Sequence, residues 1–415
     1  MRSVLLLGLL SQVVLCSWSQ QRVLDNADKQ DARSILERHP LIDGHNDLLI
    51  LLRYLYHSEI YSDNFTDAFE KTGLQGQVDL PRIDEGQLGG AFWSAFVLCP
   101  DDPLDFSDAA YAPYVKQTFE QIDLFYRLQE NYPDYFTLSR SAAEAERNFK
   151  DGYLISPLAI EGLHQIGNSL ATLRLYHRLG VRYATLTWNC HNKYADAALL
   201  RVEGETVVAE PYWHGVSKAG EELILEMNRL GMLVDLSHTS VDTQRDVLGG
   251  GGDWNGSRAA PIFSHSSVFA ICPHPRNVND EILELVKKRG SLVMINFSSD
   301  FVSCRASKAG GLPEYVPENN TIDHVVKHIT YIGELIGYDH VGIGTDYDGS
   351  PSLPRGLEDV SKFPALVSKL LEQGLKPHII AKVIGGNLLR VWHEADRVAR
   401  ELQNEIDPIQ DHIKF

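Results

Sequence analysis

Residues 41–48 read LIDGHNDL, a short apolar run that stops abruptly in Asp43, Gly44, His45, Asn46 and Asp47. Burying such groups unpaired is costly, so they either cap a helix and face water or converge on something that needs nitrogen and oxygen ligands. Short apolar, β-branched or aromatic runs recur at 41–43, 91–98, 155–162, 182–189, 231–238, 260–267, 290–298 and 340–349, and most end in polar or small residues. Longer stretches with helical spacing lie between them, among them 114–132, 220–231, 280–290 and 322–337. Strands alternating with helices predict parallel pairing, and near-continuous apolar strands fit a sheet covered on both faces. Eight such units predict an α/β fold, a (β/α)8 TIM-type barrel, whose active face is built from polar groups at the C-terminal strand ends. A doubly wound open sheet is the alternative; it would more often carry a glycine-rich nucleotide loop after its first strand, and none stands there. Residues 199–219 and 299–321 read as insertions over the active face.

The residues that end the runs carry the chemistry. The first run gives His45-x-Asp47, the third Glu161, the fifth His238, the sixth His265 and the eighth Asp346. Alternate residues on a strand point to one side, so His45 and Asp47 can hold one ion together. Imidazole with carboxylate suits Zn²⁺ or a similar divalent metal. Taken singly, DGHND is equally a helix cap, and a lone His238 is more often a satisfied core residue. Glu161 is harder to dismiss, because a carboxylate after an apolar strand needs compensation. Taken jointly, the set points to a metal site. Five ligands are too many for one tetrahedral zinc with an open position, and natural for two metals sharing a carboxylate. Such a pair acidifies water and polarises a carbonyl, which suggests hydrolysis of an amide-like bond.

The whole chain sets the boundaries. Its 415 residues, 44% hydrophobic, are ample for a large core. With 38 basic against 56 acidic residues, net −18, and no long basic run, it argues against nucleic acid or an anionic membrane surface as partner. The start, MRSVLLLGLLSQVVLCSWSQQ, reads as a signal peptide over 1–19, leaving 20–415 as a single domain and predicting secretion. No other stretch approaches the ~20 apolar residues of a spanning helix, and EIDPIQDHIKF offers no hydrophobic tail for a lipid anchor. Cys99, Cys190, Cys272 and Cys304 remain after the signal, which favours two disulfides with three pairings open. Glycosylation sequons stand at Asn64, Asn255, Asn296 and Asn319, the third inside an apolar run.

Nine stretches together cover essentially the whole chain after the signal: IDGHNDL (42–48), GGAFWSAF (89–96), AIEG (159–162), NRLGMLVDLSH (228–238), PIFSHSS (261–267), RNV (276–278), GIGTDYDG (342–349), GLEDVSKFP (356–364) and GNLLRV (386–391). They resemble the membrane (renal-type) dipeptidase family, zinc peptidases of the amidohydrolase barrel class, and the chain looks like a secreted fungal-type member. The resemblance implies two zinc ions per chain, one on His45 and Asp47, the other on His238 and His265, bridged by Glu161. It implies that Arg276 grips the free C-terminal carboxylate of a small dipeptide substrate, as a guanidinium fork does well. Asp346 would carry the proton from the attacking water to the leaving amine. The pairs Cys99–Cys190 and Cys272–Cys304 are also implied. Cys-Gly from glutathione or its conjugates, and β-lactam rings, are substrates by analogy.

Two departures stand out. The family usually has a histidine after the fourth strand, where this chain reads LTWNCHN with Trp188. An indole N–H can donate a hydrogen bond but cannot accept a proton, so Trp188 can bind substrate without carrying one. His191, three residues on, is a candidate to reach in instead. His164, His274 and His191 are not expected to be metal ligands. The tail also lacks the extra cysteine one branch uses between subunits, leaving open a homodimer without a disulfide.

Three rival functions remain. A deaminase or cyclic amidase of the same class more often begins with His-x-His and includes a lysine bridge, against His-x-Asp and Glu161 here. An amidohydrolase acting on a modified dipeptide or glutathione-derived conjugate is compatible with the motifs. A non-catalytic binding protein on the same barrel finds its best support in Trp188; the full set of ligands with Asp346 and Arg276 weighs against it, since folding does not require them.

Overall fold

Leu41–Asn46 is buried along its whole length and forms β1, the first strand of a barrel seen in a computed structural model that describes residues 31–308 and 310–411. The signal-peptide reading of 1–19 lies outside those residues. From β1 the sheet runs in parallel through β2 (Leu88–Ser94), β3 (Leu158–Glu161), β4 (Val181–Thr185), β5 (Leu233–Asp235), β6 (Ile262–Phe263), β7 (Leu292–Ile295) and β8 (Val341–Ile343). Asn46 bridges Tyr347 in parallel, and the Asp346 N–H donates to the His45 carbonyl at 3.1 Å, bringing the segment after β8 back onto β1. This is the barrel that the eight apolar runs predict.

Helices cover the outside where their spacing placed them: Asp108–Asn131, Lys218–Leu230, Asp280–Arg289 and Ile322–Ile336. Ser107, Ser217, Asn279 and Thr321 cap their N-termini with side-chain oxygens. Inside the barrel, Ile42, Phe92, Tyr183, Leu233, Ile262 and Leu292 form an apolar layer, sealed by Trp392 of the closing helix Asn387–Glu405. The floor is therefore dry, and the polar strand ends lie above it.

The strands are shorter than the runs, and the reason bears on the site. The run 260–267 yields a two-residue β6, and 340–349 yields only Val341–Ile343. Beyond those points some backbone donors turn to buried carboxylates, between others that still reach a neighbouring strand. Asp235 Oδ1 accepts the N–H of Ser237 at 3.1 Å and of Ser264 at 2.7 Å, and Asp43 Oδ1 accepts the N–H of Thr345 at 2.7 Å. Each carboxylate satisfies donors that a ladder would otherwise use, so the chain can curl inward without orphaned amides.

Both insertions have structure of their own. Residues 199–219 hold an antiparallel hairpin, Leu199–Val202 with Glu205–Val208. Residues 299–321 hold a helical turn, Ser299–Val302, and a short strand pair, Cys304–Arg305 with Glu314–Tyr315. Cys99–Cys190 joins the segments after β2 and β4, and Cys272–Cys304 joins the loop after β6 to the insertion after β7. No helix among the described residues is long and apolar enough to cross a membrane.

Candidate metal centre

Four strand ends deliver one cluster of five side chains. His45 Nε2 lies 3.2 Å from Asp47 Oδ2 and 3.7 Å from Glu161 Oε2. On the other side of Glu161, Oε1 lies 2.9 Å from His238 Nε2 and 3.3 Å from His265 Nε2, and those two nitrogens are 3.0 Å apart. All five side chains are buried. Glu161 thus faces two ligand pairs with its two oxygens.

The tautomers show whether a cation fits. His238 Nδ1 lies 3.0 Å from Asn189 Oδ1, an acceptor, so the ring donates there. His265 Nδ1 lies 2.8 Å from Ser264 Oγ, whose own hydrogen goes to Asp235 Oδ2 at 2.6 Å, so this ring also donates from Nδ1. Burial, aided by the nearby Arg276 and His45 charges, holds both imidazoles well below their ordinary pKa. Both Nε2 atoms therefore present lone pairs to each other and to Glu161 Oε1. Lone pairs repel at that range, and a shared cation relieves the repulsion. Asp47 Oδ1 is likewise buried with no hydrogen-bond partner among the described residues. Nitrogen and oxygen donors in this ratio fit a borderline-soft divalent ion.

The electrostatics agree with a site built for positive charge. Burial disfavours a charge on His45, but Asp47, Glu161 and Asp346 outweigh it and push the pKa up to about 10. Burial drives Glu161 well above the ordinary carboxylate range, although His45 pulls the other way. Burial also raises Asp346 to about 6, against the pull of His45. Asp346 sits three residues past β8 with φ 64°, and its Oδ2 accepts from Asn296 Nδ2 at 3.0 Å. Asn296 is fully buried in that role, unlike the exposed Asn64, Asn255 and Asn319.

Arg276 is 2% exposed. Its guanidinium lies over the Phe301 ring at 5.2 Å, and Nη2 donates to the His265 carbonyl at 3.4 Å. Nε and Nη1 have no partner among the described residues, an unusual state for buried donors that suits a carboxylate ligand. Burial pulls its pKa down to about 10. Trp188 lines the cavity above the cluster, 4.8 Å from Phe96 and 6.2 Å from His238 between ring centroids.

His191 is not brought to this cavity. Its Nδ1 accepts the Ala197 N–H at 3.1 Å, and its Nε2 donates to the Glu210 carbonyl at 3.0 Å. Nε2 braces the 199–219 insertion and Nδ1 the turn before it, and the ring does not line the cavity, which corrects the expectation that it reaches substrate. His164 is held by the carbonyls of Val97 and Leu98, and the nearby Cys99 and Cys190 are bonded to each other. His274 lines the cavity, with Nδ1 accepting the Arg276 N–H.

Several supporting residues escaped the sequence reading. Asn189 and Ser264 orient the two neighbouring histidines, and the Tyr183 hydroxyl lies 2.6 Å from His45 Nδ1. Asp43 and Asp235 carry a signal in retrospect: each is a carboxylate inside an apolar run, two or three residues before a histidine of the cluster. Asn189 carries none, because its partner is 49 residues away.

The model of the membrane dipeptidase family, peptidase family M19, matches residues 29–406. The chain is similar to Dipeptidase aclJ of Aspergillus oryzae, 44% identical over 388 residues, 93% of this chain and 85% of the relative. The solved dipeptidase AC, a metallopeptidase of family M19, aligns at TM-score 0.70 and 25% identity, over 86% of this chain and 98% of its own. The probable dipeptidase PvdM of Pseudomonas aeruginosa shares the fold at TM-score 0.76 and 20% identity, over 90% and 100%. A family match spanning the barrel from before β1 to past its closing helix settles the kinship: the chain belongs to the membrane dipeptidase family, peptidase family M19, and is a metallopeptidase of dipeptidase type.

Proposed function

We propose that this chain is a zinc-dependent dipeptidase cleaving the peptide bond of dipeptides with a free C-terminal carboxylate. The observation that carries it is the meeting of two neutral imidazole lone pairs and a carboxylate oxygen within about 3 Å. His45 and Asp47 would hold one zinc ion, His238 and His265 the other, and Glu161 both. Bound there, the pair would acidify a water and polarise the scissile carbonyl. Arg276 takes the substrate carboxylate with its two unpaired donors, which fixes the C-terminal end. Asp346, whose Oδ2 is held by Asn296 Nδ2, would accept a proton from the attacking water and return it to the leaving amine. Trp188 walls the substrate and offers only an N–H donor.

The cavity, about 580 Å³, is walled in part by Leu51, Tyr54, Leu55 and Leu199. That room favours side chains beyond those of the smallest dipeptides, so a modified dipeptide or glutathione-derived conjugate is the second reading. We further propose that residues 20–415 form a single barrel domain, secreted through the signal at 1–19. The two disulfides support an oxidising compartment.

Metal analysis with turnover of Leu-Gly, repeated on His238→Ala, tests the function. About two zinc ions per chain, with hydrolysis lost in the variant, is the expected result by dinuclear logic. A protein that binds no metal after reconstitution would overturn it.

A further inference from the structure

The barrel holds a buried carboxylate that the reaction above does not use. Asp235 ends β5, flanked by Tyr183 and Thr185 of β4 and by Ser264 just past β6, and all four side chains are buried. Four donors reach its two oxygens. Oδ1 takes the N–H groups of Ser237 and Ser264, which shape the backbone. Oδ2 takes two hydroxyls, Ser264 Oγ at 2.6 Å and Thr185 Oγ1 at 2.5 Å. An ionised carboxylate only accepts, so both hydroxyl hydrogens are committed to it.

That commitment fixes the direction of the bonds further out. A hydroxyl has one hydrogen and two lone pairs, so Ser264 Oγ, with its hydrogen on Asp235, accepts from its other partners. One partner is His265 Nδ1 at 2.8 Å, which donates and leaves Nε2 as a lone pair 3.3 Å from Glu161 Oε1. The other is the Tyr183 hydroxyl, which shares a side-chain hydrogen bond with Ser264. With its hydrogen on Ser264, the Tyr183 oxygen accepts from His45 Nδ1 at 2.6 Å. His45 then turns Nε2 to the cluster, 3.2 Å from Asp47 Oδ2. Asp43, the matching carboxylate of β1, is spent differently. Its oxygens take the His45 and Thr345 N–H groups, the Thr345 hydroxyl and the Asn46 amide. Asp43 shapes the backbone, whereas half of Asp235 is turned to side chains that end on two imidazoles.

We infer that Asp235 is a positioning residue shared by both halves of the centre: through Ser264 it orients His265, and through Ser264 and Tyr183 it orients His45, each with Nε2 facing the ion it would bind. The inference deepens the two-ion reading of the site and rests on it. Asp235→Asn should reverse the chain of bonds. Asparagine keeps Oδ1 for the two N–H groups but puts an NH₂ donor in place of Oδ2. Ser264 Oγ then accepts from that amide, and its hydrogen turns to His265 Nδ1. The ring proton moves to Nε2 and fills the lone pair meant for the ion. Tyr183→Phe cuts only the arm to His45, while Ser264→Ala cuts both arms where they meet.

The test measures zinc per chain after dialysis of the full-length wild type and the three variants against graded chelator, with a thermal scan of each. Loss of orienting partners should cost about 10- to 100-fold in metal affinity. At a chelator concentration that leaves wild type with about two ions, Tyr183→Phe should keep about one, and Asp235→Asn and Ser264→Ala close to none. Nitrogen NMR of histidine-labelled, zinc-free protein reads the tautomer, with the His265 signal assigned from His265→Gln. The proton should sit on Nδ1 in wild type and on Nε2 in Asp235→Asn, a change that a merely structural role would not produce. Ser264→Ala carries the zinc comparison if Asp235→Asn loses its thermal transition. Loss of only one ion from Ser264→Ala and Asp235→Asn, full retention by Tyr183→Phe, or an unchanged His265 tautomer in folded Asp235→Asn would overturn the shared role and leave the two-ion reading standing. Fewer than two ions in reconstituted wild type would overturn both.

Discussion

Asn189 is the residue on which the His238 side of the cluster turns. By accepting the Nδ1 hydrogen it leaves Nε2 as a lone pair directed at Glu161 and His265. Residues that orient ligand imidazoles typically contribute 10- to 100-fold to metal affinity. Asn189→Leu should therefore lose zinc at a chelator concentration about 10- to 100-fold lower than wild type does. Asn189→Asp, which keeps the acceptor and adds charge, should restore retention. Zinc content after dialysis against graded chelator reads both. At this scale the sequence was readable for the side chains that cluster, because buried carboxylates and imidazoles at strand ends are costly without a purpose. It was unreadable for Asn189 and Tyr183, whose partners lie in other strands, and for His191, whose ring turns to the insertion and away from the cavity.

Among the elements, the insertions do more than cover the face. The Ala198 N–H donates to the His238 carbonyl at 2.7 Å, and the Arg201 N–H to the Asn189 carbonyl at 2.9 Å. The hairpin strand and the residue before it thus grip His238 and Asn189 by their backbones. On the far side, His328 of helix Ile322–Ile336 pins the segment carrying Cys272 and Cys304. Its Nδ1 accepts the Val268 N–H at 3.0 Å, and its Nε2 donates to the Val302 carbonyl at 2.9 Å. Burial lowers its pKa to about 3. The unfolded chain takes up a proton near pH 6.5 that the folded chain refuses until about pH 3, so the contribution is complete above 6.5 and lost as pH falls. His328→Gln should thus lose stability relative to wild type at pH 7.5, by about 1–3 kcal/mol. The gap should narrow by about 1.4 kcal/mol per pH unit below 6.5. Denaturant unfolding at pH 7.5, 6 and 5 measures it; a gap that is constant with pH would contradict the assignment.

For the whole molecule, the centre couples metal to stability. Ligands from β1, β3 and the segments after β5 and β6 meet only in the closed barrel, so a metal binds the folded chain alone. Such linkage adds about 4 kcal/mol at a thousandfold excess over Kd. Chelation should lower Tm by several degrees, and added zinc should restore it in calorimetric scans. An unchanged Tm would mean the ligands hold no ion.

The sequence by itself determined the barrel and its polar face. Eight apolar runs alternating with helical spacing leave few ways to bury both faces of a parallel sheet, and costly groups at the run ends mark where the active face lies. Only the tertiary structure decided how far each strand runs, since Asp43 and Asp235 draw the backbone out of the ladder. It also formed the two cysteine pairs that the resemblance implies and spacing alone leaves open, and it decided which Arg276 donors stay unpaired. The physical reason is common to all of these: spacing along a chain sets which face a residue takes, whereas closure of the barrel sets which faces meet.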